Sequence, residues 1–380
     1  MSEPHVSPVM EYAGPRPSEG VREPLVRTGW HLGIDALLGG LTRGAAVVVI
    51  LMLAALLAVL AHASLPAIRE FGPKFLVSSE WRPNPLMVPH RDAKGNVVID
   101  ADGETVMDTI PPAFGALPVV FGTAVSSVLA LVVSVPLSFG AAIFLIRIAP
   151  KFLAAPVSFL VEFLAAIPSI AYGMWGLFIL APFLQHHVET AFGRAYQWLG
   201  KPSVLHWLFQ DKVVLPNGHV LVRDLPLTGR DMFCGGLVLA VMIIPIITAI
   251  SRDVLRSVPR AQVEGTVALG ATWWQSSREM LRYSRAGLFG AVMLGLARAA
   301  GETMAVTMII GNNNQIRASL FAPAQTMSSL LANEFAEAST DLHRAALSEV
   351  ALILLVMSLL FNIVARYLVV GKSSRTAAAH

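Results

Sequence analysis

Residues 251–287 read SRDVLRSVPRAQVEGTVALGATWWQSSREMLRYSRAG, a segment too polar for lipid yet set between two long apolar runs. Ser257 can cap a helix start, Pro259 suits a first helical turn, and Val263, Val267 and Leu269 supply apolar positions. Gly270 then allows a bend before ATWWQSSREMLR, so the pattern predicts a helix-turn-helix hairpin lying outside the membrane. Two roles suit such an element. It is either an interfacial amphipathic piece with Trp273 and Trp274 at headgroup level, or a rigid knob whose apolar side enters a groove on a cytoplasmic partner.

Working outward, the flanking runs define the fold class. The 380-residue chain is 55% apolar and only 14% charged, with net charge +3, too few polar side chains to clothe a soluble globule of this size. A bilayer core of roughly 30 Å takes about 20 apolar residues in a helix. Six runs qualify: 44–65, 119–146, 155–183, 233–250, 287–311 and 346–370. The expected fold is therefore all-α, a polytopic membrane protein with six transmembrane helices. A cytoplasmic tail (1–43) precedes them, with GWHLGIDALLGGL read as an interfacial helix, and a short tail (371–380) follows. The loop 251–286 lies inside, and 67–116, 184–232 and 312–344 lie outside. Lys and Arg are denser in the inner pieces, which places both termini in the cytoplasm. Pro136 and Pro168 are expected to kink their spans, since neighbouring helices satisfy the freed carbonyls.

Several local patterns carry no chemistry. The outer stretches NVVIDADGETVMD and VVLPNGHVLV read as small hairpins around Asp-Gly and Asn-Gly. DADGE lacks calcium-loop spacing, and QHHVET lacks the spacing of a zinc helix, leaving His186 and His187 as loop residues. VVGKSS lacks the first glycine of a phosphate-binding loop, so Gly371 and Lys372 read as a helix stop. If ATP drives this protein, another chain must bind it. The single cysteine, Cys234, excludes an intramolecular disulfide. Glu162, Glu349 and Asn362 read as interface or helix-contact polar groups.

One span is interrupted by charge. In GLARAAGETMAVTMIIG (295–311), Arg298 falls near the middle of the run, with Glu302 four residues on. On insertion scales a central charge costs roughly 2.5 to 3.5 kcal/mol, so neither should face lipid. In a continuous helix the two would sit about 6 Å apart along the axis on one face, close enough to pair. Gly287, Ala291, Gly295 and Ala299 form a small-residue ladder beside them that lets another helix approach closely. The pair is either a staple of the bundle or part of a substrate pathway. Desolvation argues against a purely stabilising role, and a guanidinium offers a planar fork to two phosphate oxygens.

The hairpin and several span sequences resemble a known family. Glu264-Gly265-Thr266, three residues and then Gly270 resembles the EAA loop of ABC importer permeases, departing from it at the second and third positions and lacking the Leu-Pro that closes the motif. VVFGTAVSSVLALVVSVPLSFGAAIFL, LAAIPSIAYGMWGLFILAP, MLGLARAAGETMAVTMIIGN and ASLFAPAQTMSSLLANEFAEAS resemble the PstC-type permeases of phosphate-specific ABC transporters, and the likeness covers most of 117–370. Arg147 in LIRIAP stands where the family usually has an acid.

That resemblance implies a type I ABC importer permease fold in a bacterial inner membrane. It implies a PstA-type permease partner, two PstB-type ATPases carrying ATP and magnesium, and a PstS-type binding protein delivering inorganic phosphate. The chain itself would hold no cofactor and perform no catalysis. Glu264, Gly265, Thr266, Leu269, Gly270, Ala271 and Trp274 would dock the ATPase. Arg298 and Glu302 would line the pathway, with Glu302 either touching phosphate or only holding Arg298, and the site would be worked by alternating access. The rival readings are an ion-coupled secondary anion transporter and an ABC permease for another oxyanion.

Overall fold

The structure, a computed structural model, describes residues 29–90, 97–99, 105–200, 210–214, 220–225 and 227–377. The first 28 residues of the N-terminal tail, the acids at 100–104, the turn at 217–218 and the last three residues lie outside the described residues.

The chain divides into two compact units, Met1–Leu56 and Leu57–His380. Helix α1 (Gly29–Phe71) is continuous through both the segment read as interfacial and the first apolar run. Within the first unit Val47 to Met52 are all exposed, the pattern of a helix apolar on every side.

In the second unit the architecture rests on three helices. Helix α3 (Leu117–Ile143), extended by a π-helical turn over Phe144–Ile148, packs along α6 (Met232–Arg256). The two run parallel: Leu129 lies over Gly236, the Ser138 hydroxyl donates to the Ile244 carbonyl at 3.2 Å, and Ile143 clusters with Leu255. Helix α9 (Arg285–Ala300) returns antiparallel along α6, because the small-residue ladder strips its face to the backbone. A Cβ on Gly287 would meet Val254 at 2.6 Å, and one on Gly295 would meet Ile247 at 2.7 Å. Close approach of this kind is what small residues supply inside membranes.

The third apolar run is not a kinked rod. It forms α4 (Lys151–Ala165) and α5 (Ser169–Trp198), bent by 91° at the break. Pro168 cannot donate to the carbonyl one turn back, and its predecessor is pushed out of helical geometry. The chain turns a corner there. Helix α5 loosens to π geometry over Gly176–Leu180 and Leu184–Glu189, so His186 and His187 stand on a helix and not in a loop.

The fifth run is broken as well. After α9 ends at Ala300, the regular helical hydrogen-bond pattern is interrupted over 301–303 before α10 (Met304–Ile309) begins. Helix α9 has 16 residues, about 24 Å of rise, short of the hydrocarbon core. Among the described residues, four helices are long and apolar enough to cross a membrane, or five if the bent pair counts as one span. The expected six are not reached, since the 287–311 run is split.

Region 312–344 holds α11 (Met327–Glu334), whose Met327 and Leu330 are fully buried against α12 (Asp341–Ala377) and α3. Thr326 and Ser329 close a capping box at its start, and the Met327 amide donates to Thr123 on α3 at 2.9 Å. Helix α12 runs past Gly371 to Ala377, so that glycine does not stop it. A short helix, α2 (Lys74–Val77), and two antiparallel ribbons complete the fold: β1 (Leu86–Pro89) with β2 (Met107–Ile110), and β3 (Gln210–Val214) with β4 (Val220–Asp224). The β3–β4 ribbon brackets Asn-Gly, whereas β1 lies upstream of the stretch read as a hairpin around Asp-Gly, where the isolated bridge Ile99–Thr105 stands.

Candidate functional site

The hairpin is built as the sequence pattern required, with one difference at its entrance. Helix α6 continues to Arg256, and Ser257 serves its C-terminal end, donating to the Val254 carbonyl at 2.7 Å. Pro259 then precedes α7 (Arg260–Ala268). Gly270 adopts φ +82, a left-handed turn that a side chain would strain. Thr272 and Gln275 form a capping box that starts α8 (Trp273–Tyr283).

One face of the hairpin is seated and the other is open. Met280 and Val263 join Ala142, Ile143, Leu255 and Leu288 in a cluster at the ends of α3, α6 and α9. The Thr266 hydroxyl reaches Ser276 at 3.2 Å, and the Arg147 guanidinium reaches the same hydroxyl at 3.5 Å. Arg147 thus ties the α3–α4 turn to the hairpin. Glu264, Gly265, Leu269, Gly270 and Trp274 are exposed, while Thr266 and Ala271 are half-buried. Leu269 is 90% exposed and Trp274 60%, a pair of large apolar side chains presented at the tip.

The Arg298–Glu302 pair does not form. Because α9 ends at Ala300, the four-residue register that would bring the two side chains together is lost. The Glu302 carboxylate instead accepts from the Ala305 amide at 3.3 Å, satisfying an orphan donor in the first turn of α10. The Glu302 carbonyl accepts from the Ser328 hydroxyl at 2.7 Å, which ties the break to α11. Arg298 is exposed on this chain and, among the described residues, makes no hydrogen bond or ion pair. A guanidinium in that condition within an apolar run needs water, an anion or another chain against it.

The second break lies beside the first. Helix α5 packs on α10 so closely that a Cβ on Gly173 would meet the Ala305 Cα at 2.9 Å. Tyr172 is buried, its hydroxyl donates to the Leu164 carbonyl at 2.7 Å, and it lies within electrostatic reach of Arg298.

Two further charge groups were not legible as sites. Arg252, 8% exposed at its side chain, pairs with Glu162 at 2.9 Å and Asp253 at 2.9 Å, joining α6 to α4 and giving Glu162 a partner within the chain. Glu189 and Asp231 are fully buried and within hydrogen-bonding reach of each other. The Gly229 amide donates to Glu189 at 3.1 Å, and the Cys234 amide donates to Asp231 at 2.8 Å, capping α6. One oxygen of each carboxyl has no other partner. Two facing acceptors need a proton between them. Burial, with the Glu189 carboxylate opposite, pushes Asp231 up to about 8. The signal available in sequence was an Asp placed immediately before an apolar helix.

With this geometry in hand, relatives are informative. Residues 134–370 match the family described as binding-protein-dependent transport system inner membrane component. A phosphate transport system permease protein PstC of Mesorhizobium japonicum is 38% identical over 345 residues, 90% of this chain and 92% of the relative. The PstC of Pasteurella multocida is 39% identical over 340 residues, 89% of this chain and 92% of that one. The PstC 1 of Mycobacterium tuberculosis is 37% identical over 318 residues, 82% and 85% of the two chains. The chain belongs to the PstC family of binding-protein-dependent transport permeases. A solved inward-facing chain of the MetNI methionine ABC transporter aligns at 18% identity, covering 68% of this chain and 94% of that one, with a TM-score of 0.43.

As a PstC-family permease the chain is a membrane transport subunit and not an enzyme, and ATP in such systems belongs to a separate ATPase. Among the described residues no group of three or more His, Cys, Asp or Glu could hold a metal ion.

Proposed function

We propose that this permease forms half of the pathway by which an ABC importer brings inorganic phosphate across a bacterial inner membrane. The observation that carries the reading is the identity of 38% with a phosphate transport system PstC over 90% of the chain. The chemistry of Arg298 fits it. Its planar fork matches two phosphate oxygens, and the absence of a partner for it among the described residues leaves it available to an anion. Glu302, occupied by the α10 amide, shapes the break beside Arg298 and does not hold the guanidinium.

Exposed Leu294 and Met304, with Ile170, Met174 and Trp175 on the adjoining α5, give the face that a PstA-type permease covers. The tip of the hairpin, with Glu264, Gly265, Leu269, Gly270 and Trp274 exposed and Thr266 and Ala271 half-buried beneath them, docks one of two PstB-type ATPases. Both termini lie in the cytoplasm, and the β ribbons lie outside, toward a PstS-type binding protein. Closure of the ATPase pair would push the hairpin, and through its seat on α3, α6 and α9 would rock the helices around Arg298.

The test is reconstitution with the ATPase, partner permease and binding protein, followed by uptake of labelled phosphate. Uptake that requires ATP and survives excess sulfate supports the proposal. Uptake without the ATPase, or displacement of phosphate by sulfate, contradicts it.

A further inference from the structure

The two breaks meet at one turn of α5, that of Tyr172 and Gly173. Pro168 has no amide hydrogen, so the Leu164 carbonyl four residues earlier loses its regular helical donor. The Ile167 amide reaches that oxygen at a long 3.3 Å, while the Tyr172 hydroxyl reaches it at 2.7 Å. The phenol therefore spans the 91° corner, fastening the first turn of α5 back to the end of α4.

Its neighbour in sequence, Gly173, sits against the Ala305 backbone at 2.9 Å and the Met308 sulfur at 3.0 Å, distances given for an added Cβ. Helix α10 is thus held by the same turn of α5 that Tyr172 fixes. The start of α10 is in turn held by Glu302, three residues from Ala305, and the Glu302 carbonyl is held by Ser328. Arg298 lies immediately before this break, within electrostatic reach of Tyr172.

We propose that Tyr172 is a positioning residue for the anion pathway: its hydroxyl fixes the α4–α5 corner against the α9–α10 break and so sets where Arg298 presents its guanidinium. This rests on the reading that Arg298 meets the anion. A plain packing role for the ring would need no hydroxyl at all. A buried hydroxyl donating across a proline corner is a geometric constraint, and displacements of about 1 Å at a reacting or binding group carry large rate costs.

The experiment uses Tyr172→Phe, which keeps the ring, in the complex co-purified with its ATPase and partner permease and reconstituted with the binding protein. Spin labels on cysteines introduced at Lys151 and Trp198, both exposed and at the two ends of the bent pair, read the corner, while native Cys234 is buried and unlabelled. Per assembled complex, the maximal phosphate uptake rate should fall about tenfold, as loss of one hydrogen bond's worth of barrier stabilisation implies. The half-saturating concentration of phosphate-loaded binding protein should be unchanged, and the label distances should broaden. A wild-type rate overturns the inference, whether or not the distances change. A lost rate with unchanged distances also overturns it, because the hydroxyl would then act without setting the corner. Arg298→Ala, run in parallel, separates the two readings: it should abolish uptake with label distances unaltered, and if it transports normally the anion reading itself falls.

Discussion

A guanidinium at the middle of an apolar run forces a decision about what covers it. Arg298 is readable from sequence as a costly residue, but its relation to Glu302 was not, because the four-residue spacing presumes a continuous helix. Gly301 and the bonds made by Glu302 to Ala305 and Ser328 remove that continuity. Glu302→Gln should preserve assembly, since an amide oxygen still accepts from Ala305, whereas Glu302→Ala should weaken the start of α10 by about 1 kcal/mol, as loss of a cap does, read as a lower melting temperature. Asp231 gives a pH-dependent case. Its carboxyl is raised in the folded state from 3.8 to about 8, so the folded protein binds the extra proton and stability is full below about pH 4, lost progressively as pH rises through about 8, and flat above. Asp231→Asn keeps a good cap and donates to Glu189, so its melting temperature in detergent should be nearly level from pH 5 to 9. A slope equal to that of the wild type would contradict the shared proton. Nothing in the sequence joined Glu189 to Asp231, which are 42 residues apart on different helices.

At the scale of elements, the hairpin was the most legible part and the helix breaks the least. Val263, Leu269, Gly270 and Thr272 carry the signals of apolar spacing, turn and cap locally, so α7 and α8 follow from their own residues. The break at 301–303 depends on Ser328, and the corner at Pro168 on Tyr172, contacts that arise only once the bundle forms. Region 312–344 reads as a loop because its polar residues, Thr326 and Ser329, cap α11, while Ser328 donates to the α9–α10 break. Gly270→Val should strain the turn at φ +82 and uncouple ATP hydrolysis from transport, seen as ATPase activity that no longer tracks phosphate uptake in proteoliposomes. Coupling at wild-type level would remove the docking assignment. Gly295→Leu should push α9 off Ile247 and destabilise the bundle by about 1 to 3 kcal/mol or more, as overpacking does, with loss of assembled complex on purification.

Across the whole molecule, composition and apolar runs were enough to place the chain in a membrane and to number its long helices to within the two broken ones. The family likeness supplies phosphate transport, a separate ATPase and dependence on a binding protein. The structure supplies an exposed arginine in the last turn of α9 with no hydrogen-bond or ion-pair partner among the described residues, a seated hairpin with an apolar tip, and two adjoining helix breaks. On the proposed reading the subunit is incomplete by itself, with one face for a second permease and one tip for an ATPase. The most direct test of this account is ATP-dependent uptake of labelled phosphate by the reconstituted complex carrying Arg298→Ala, normalised to assembled transporter. The account predicts uptake at background with assembly intact. Wild-type uptake, or loss of assembly in place of loss of transport, would contradict it.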